Sequence, residues 1–276
     1  MERALILSGG GARGAFQAGV WKFLQESGWK PDLICGSSVG AMNAAAIGAG
    51  MDAEQMSNLW KKYDRLKLFS FTIKDFLLSF FSRKKFNPLM DTAPLKSMLT
   101  EQIDIDALRK SRAEVLISAI NMLTSQLVYF NQKNITVDHI MAATAIPMLF
   151  PWQYIDGEPY WDGGFMANVP IAPALERGVK EIIVVLLSPA ALYRQPIPET
   201  HRQVADLVFE HFIVGSYNLS LSCLPCKNAD IKIISPDYSE GFFSVLNFSS
   251  MQADRLIQEG YENAKKNLLN PKYMKR

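Results

Sequence analysis

Cysteine is scarce. Three thiols, Cys35, Cys223 and Cys226, occur in 276 residues, too few for the disulfide framework of a small secreted fold. Cys223 and Cys226 form a single C-x-x-C. A structural zinc site needs four ligands, and no second Cys/His pair accompanies this one, so no metal is expected. Long hydrophobic runs are also missing. The nearest candidate, Val204 to Leu224, contains Asp206, Glu210 and His211 and should not span a bilayer. The apolar run Ala4 to Leu7 is too short for a secretory signal. Neither sign of charge dominates: 29 Lys+Arg against 27 Asp+Glu leave a net charge of +2. That balance excludes a charged nucleic-acid tail, and 49% hydrophobic residues exclude a mostly disordered chain. The expectation is a cytoplasmic protein, at most peripheral to a membrane, with no nucleic-acid partner.

What is present is an alternation of short apolar runs with helical stripes. Ala4–Leu7 suits a strand buried on both faces, and it ends at Ser-Gly-Gly-Gly. Phe16, Val20, Phe23 and Leu24 then make a helix stripe over Ala15 to Gln25, with Gly28 as its stop. Leu33–Cys35 reads as a second strand, and the Ala-rich run Ala41 to Ala49 as a buried helix. Asp52 caps a further helix with Met56, Leu59 and Trp60 inward. Later strands are expected at Val115–Asn121, Gln126–Phe130, Glu181–Leu187 and Asp230–Ile234. Later helices are expected at Pro94–Gln102, Val137–Ala145, Gln203–Leu221 and Ser250–Leu268. This order predicts an α/β fold of three layers, α/β/α, around a mostly parallel central sheet.

Tyr63 to Met90 differs from the rest. It mixes ten Leu, Ile and Phe residues between Leu66 and Phe81 with Arg65, Lys67, Lys74, Arg83, Lys84 and Lys85. Such a basic aromatic stretch suits an anionic membrane surface; a core-packed helix with a solvated basic face is the plainer reading.

Three short motifs carry chemistry. Gly9, Gly11 and Gly14 fit G-x-G-x-x-G between a strand and a helix. A dinucleotide reading wants an acid at the end of the second strand, and that end carries Gly36-Ser37-Ser38-Val39-Gly40 instead. The glycines then suit an anion cradle of free N–H groups, or a tight turn and nothing more. Gly36 to Gly40 fit G-x-S-x-G with Ser38 at the centre, following a strand and preceding a helix, the context of a nucleophile elbow. A hydroxyl needs a base. His201 and His211 lie on a helix near no glycine-rich turn, and neither suits the part. Asp162, within Tyr160-Trp161-Asp162-Gly163-Gly164, is a carboxylate that can be held rigidly at a strand end; a plain Asp-Gly turn is the alternative.

In this order and context, the three motifs resemble the patatin-like phospholipase family. Ala142-Ala143-Thr144-Ala145-Ile146-Pro147 with Phe150-Pro151 resembles it too. The similarity runs from about Arg3 to Ser188 and weakens beyond about Tyr193. The resemblance implies a single patatin-like catalytic domain over residues 1–276 and a Ser-Asp dyad without a catalytic histidine. Ser38 would attack a fatty-acyl ester of a phospholipid or lysophospholipid, and Asp162 would take its proton. Backbone N–H groups of Gly10, Gly11 and their neighbours Gly9 and Gly14 would form the oxyanion hole, with Arg13 beside them as support. Gly36 and Gly40 flank the nucleophile, and Gly163 and Gly164 complete the Asp-Gly-Gly motif. No cofactor and no calcium are implied. In this frame residues 63–90 become a lid or a membrane-touching cap. Val204, Leu207, Val208, Phe212, Phe242 and Phe243 line an acyl channel or pack the core. Acyl transfer, and a non-catalytic lipid- or nucleotide-binding module, are the alternatives on the same fold.

Overall fold

The structure is a computed structural model that describes residues 1–63, 70–71, 88–190, 197–222, 229–237, 245 and 247–269. Most of the basic aromatic stretch, both Cys223 and Cys226, and Phe242 and Phe243 therefore lie outside the described residues.

An eight-stranded sheet forms the middle layer. Its parallel part runs β10 (Asp230–Ile234), β9 (Glu181–Val185), β1 (Arg3–Leu7), β2 (Leu33–Ser37), β5 (Glu114–Asn121). Beyond it the pairing turns antiparallel, with β6 (Gln126–Asn131), β8 (Glu158–Asp162) and β7 (Gln153–Ile155). Two short strands, β3 (Ser70–Phe71) and β4 (Met90–Asp91), pair separately.

The parallel strands are apolar without a break because both faces are covered. On β1, Leu5 and Leu7 point into one core and Ala4 and Ile6 into the other. The larger core lies under α1 (Ala15–Glu26), α2 (Val39–Gly48), α3 (Ala53–Lys62) and the C-terminal helix Ser250–Leu269. Phe16, Val20 and Leu24 are each almost wholly buried there, as the stripe predicted. On α3, Asp52 makes a capping box with Gln55, and Met56 and Trp60 are buried. The opposite core gathers Leu33, Cys35, Leu116, Val169, Ile171 and Val184. Cys35 is a free buried thiol whose pKa burial pushes far up, so it stays protonated and inert.

The expected helices and parallel strands are found within about two residues of their predicted ends, since α2 begins at Val39 rather than Ala41. The hairpin β7–β8 is new. Its turn is Asp156-Gly157, both at positive φ, as a two-residue hairpin requires. The Asp-Gly turn thus sits six residues before Asp162-Gly163, which ends β8 instead. The remaining helices are α4 (Ala93–Gln102), α5 (Ile105–Arg109), α6 (Val137–Ala143), α7 (Gly164–Ala167), α8 (Ala172–Glu176) and α9 (His201–Ser222), which makes Ser250–Leu269 α10. Among the described residues, no helix is long and apolar enough to cross a membrane.

Candidate active site

Register alone brings Ser38 and Asp162 together. A strand has two edges. β6 pairs with β5 over residues 116–121, so it fills one edge. β2 pairs with residues 114–118 and β8 with residues 119–121, and both overlap β6, so both must lie on the other edge. They meet there end to end: Ser37 sits opposite Ser118, and Asp162 opposite the next residue, Ala119. The residue leaving β2 is Ser38. Two side chains distant in sequence become neighbours because one strand serves as the template for both.

Ser38 caps α2 in a conformation that L-residues avoid, φ 54° and ψ −128°. Such a backbone costs about 1–3 kcal/mol and persists only where the surroundings impose it. Here the strand enters the helix so sharply that a Cβ on Gly40 would strike the carbonyls of Leu7 and Ser8. Ser38 also stands at the N-terminus of α2, where the helix dipole favours developing negative charge.

Asp162 is 1% exposed. Its carboxyl accepts the Gly164 N–H at 2.7 Å, and the Ser38 hydroxyl lies near enough to lower its pKa. Burial pushes its pKa up to about 7, against these two groups, which hold it down. A carboxyl at that value gives and accepts a proton readily near neutrality.

The glycine loop lies above both. Gly9 donates its N–H to the Asn168 carbonyl at 3.1 Å, so that donor is engaged. Among the described residues, the N–H groups of Gly10 and Gly11 have no recorded acceptor. Gly11 holds φ 57°, and a side chain there would meet the Val245 carbonyl. Gly14 ends the short 3-10 turn that leads into α1. Arg13 is buried and turned toward the end of β9: it donates to Leu187 O at 3.2 Å and Ser188 Oγ at 3.0 Å, and pairs with Glu210 of α9 at 3.2 Å. It braces the loop rather than presenting its guanidinium to Ser38.

A cavity of about 40 Å³ opens beside Ser38, lined among others by Gly11, Met42, Ile146, Phe150, Val245 and Phe248. The lining is almost wholly apolar. Val204 and Val208 take no part in it and face solvent, contrary to both expectations for them. His201 and His211 are exposed on α9, and His139 Nδ1 lies 2.8 Å from Thr136 Oγ1. None of the three has a recorded hydrogen bond with Ser38. Among the described residues, no three His, Cys, Asp or Glu side chains group as metal ligands would.

Three buried amides around the loop escaped the sequence reading. Gln17 and Asn43 lie on helices whose apolar stripes mask them, and Asn168 follows Asp162 by six residues. Only the Asn168-Val169-Pro170 context could have drawn attention to the last.

The model of the family described as patatin-like phospholipase matches residues 5–175. A cGAMP-activated phospholipase of Pseudomonas aeruginosa is 30% identical over 181 residues, 60% of this chain and 53% of the relative. A protein of the same name from Vibrio cholerae is 27% identical over 195 residues, 61% of this chain and 55% of its own. The chain thus spans about half the length of these curated relatives. Among solved structures, VipD from Legionella pneumophila superposes with a TM-score of 0.56 at 16% identity, covering 97% of this chain and 66% of that one. The likeness is one of fold: a mixed sheet with helices on both sides.

Proposed function

Because the chain belongs to the patatin-like phospholipase family, we propose that it hydrolyses fatty-acyl esters of phospholipids or lysophospholipids through a Ser38–Asp162 dyad. The observation that carries this reading is the end-to-end meeting of β2 and β8 on β5, which brings Ser38 beside a buried carboxyl.

Ser38 Oγ attacks the ester carbonyl as its proton passes to Asp162. The carbonyl oxygen becomes an oxyanion, which the N–H groups of Gly10 and Gly11 receive; one such donor contributes about 10²–10³ in rate. As the intermediate collapses, the carbon–oxygen ester bond breaks and Asp162 returns the proton to the departing alkoxide. An acyl-Ser38 ester remains. Asp162 then takes a proton from water, whose oxygen attacks that ester. The second intermediate expels Ser38 Oγ, which regains its proton, and releases the fatty acid.

The cavity of about 40 Å³ holds about one water. An acyl chain needs more room than this, and in this reading Val245 and Phe248 are the side of the wall that yields. Phe165 and Met166 directly follow Asp162-Gly163-Gly164, and Met148 precedes the hairpin; all three side chains are about half exposed. These exposed apolar groups support transient contact with a lipid surface. The same reading takes residues 1–276 as one catalytic unit, with residues 63–90 as a lid or membrane-touching cap.

Mass spectrometry of a mixed lipid extract tests the proposal. Wild type should release free fatty acid and lysolipid, and Ser38→Ala should release neither. Equal release by both proteins would defeat the dyad, and acyl groups moved onto an added lysolipid would point to a transferase.

A further inference from the structure

Beneath the glycine loop lies a chain of hydrogen bonds with no apolar substitute in it. Gln17 Nε2 of α1 donates to Ser8 O at 2.8 Å. Asn43 Nδ2 of α2 donates to Gly14 O at 3.0 Å and to Gln17 Oε1 at 2.8 Å. Trp60 Nε1 of α3 donates to Asn43 Oδ1 at 3.2 Å. Gln17 is 1% exposed, Asn43 3% and Trp60 7%, so water competes for none of these groups. Ser8 and Gly14 are the two ends of the loop. The Gly14 carbonyl is therefore held directly by the helix that follows Ser38, and the Ser8 carbonyl by Gln17 of α1, which Asn43 holds in turn.

We infer that Asn43, acting with Gln17, is a positioning residue that fixes the loop's open N–H groups relative to the nucleophile. The physical argument runs through rigidity. Gly9, Gly10 and Gly11 have no side chains by which the loop could be packed, and the Gly10 and Gly11 N–H groups must stay unpaired to receive an oxyanion. Arg13 and the Gly9–Asn168 bond brace the loop from one side, and the buried amides beneath it supply the other support that sets their direction. The Asn43 amide is well suited. It is planar and buried, both its donor hydrogens are engaged, and its oxygen is fixed in turn by Trp60. Because α2 carries Ser38 at its N-cap and Asn43 just over one turn later, donors and nucleophile are referred to one rigid element. A displacement of about 1 Å at such a site costs about 10²-fold in rate.

Trp60 extends the network outward. Its ring stacks on Phe248 with centroids 6.1 Å apart and 4° between planes, and Phe248 lines the cavity beside Ser38. The wall that must draw back for an acyl chain is thus one side chain away from the network that aims the donors.

This inference rests on the Ser38–Asp162 reading, so its test keeps the two apart. Changing one amide alone would strand the other, whereas replacing both by apolar groups of similar shape removes that pair and leaves only the Trp60 N–H and the Ser8 and Gly14 carbonyls without these partners, at some loss of stability. The variant is therefore Gln17→Met with Asn43→Leu, assayed on a soluble short-chain nitrophenyl ester well below its melting temperature. The expected result is a kcat lower by about 30-fold, less than the about 10²-fold of a full 1 Å displacement or a lost donor, because the donors are loosened rather than removed. KM should stay within threefold, and the pH midpoint of kcat, set by Asp162, should not move. A kcat within threefold of wild type overturns the inference, as does a fall in kcat with a shifted pH midpoint. If the double variant does not fold, Trp60→Phe decides. It keeps an aromatic ring facing Phe248 and loses the bond to Asn43 together with part of the ring packing beside Gly14; a three- to tenfold lower kcat is expected, and an unchanged kcat overturns the inference. Failure of the underlying reading shows elsewhere, as Ser38→Ala that still turns over or a fluorophosphonate probe that does not label Ser38 in wild type.

Discussion

The turns after β1 and after β2 stand at the same level, at the carboxyl ends of adjacent parallel strands. They treat backbone freedom in opposite ways. After β1, three successive glycines strip away side chains, and Gly11 takes φ 57° as a residue without Cβ can. After β2, Ser38 takes φ 54° while keeping its side chain. An oxyanion donor is a bare N–H, so a side chain there only obstructs. A nucleophile is a side chain, so the strain must be borne. The pair shows that strain gathers where chemistry cannot give up the atom that causes it.

Four measurements sharpen or break this contrast, the largest effect first. Asp162→Asn removes the base and should lower kcat by about 10³-fold or more. The same change should raise stability above neutral pH. The wild-type carboxyl binds its proton more tightly in the folded state, with a pKa near 7 against 3.8 for the free group. Its contribution to stability is complete below about pH 4 and is lost as pH rises through 7. Melting curves of wild type and Asp162→Asn should therefore coincide near pH 4 and separate by pH 8, with the variant higher; a constant gap would refute the raised pKa. Activity of wild type should rise through the same midpoint near pH 7.

Gly11→Ala should lower kcat by about 10²-fold and stability by about 1–2 kcal/mol. Gly28→Ala is its control: φ is 71°, with nothing within 4 Å of a new Cβ. It should cost about 1 kcal/mol and leave kcat alone. Equal kinetic effects at both glycines would mean that the loop after β1 has no special office. Smaller still, Ser38→Gly should unfold at higher urea than Ser38→Ala, by about 1 kcal/mol, because glycine alone relieves the positive φ. The least effect belongs to His201→Gln and His211→Gln, which should leave turnover within a few-fold. A collapse of about 10³-fold in either would replace the dyad by a triad.

Much of this was readable in the residues. Glycines, a serine between glycines and Asp-Gly-Gly announce themselves because each needs a local backbone shape, and local shape is what sequence encodes most directly. The doubly buried strands β1, β2 and β9 were equally plain. The hairpin β7–β8 was not, since three- and five-residue strands, one containing Pro159, give too short a pattern to show a period. The Asp-Gly turn was consequently considered at Asp162-Gly163 when it belongs to Asp156-Gly157. The direction of Arg13 could not be read because its acidic partner, Glu210, is 197 positions away. Gln17 and Asn43 were hidden for a related reason: a polar residue on a buried helix face interrupts the apolar stripe, and only its partners explain it.

The shared edge of β5 has one more consequence. It makes that strand a ruler, graduated at about 3.3 Å per residue, on which the stops for hydroxyl and carboxyl are adjacent marks. Insertions in the connections before β5 or after β6 leave the marks where they are, however long the added chain. A single residue inserted between Ser118 and Ala119 would move one mark and turn its side chain to the opposite face. Length is therefore free to drift in those connections but not along this one short span.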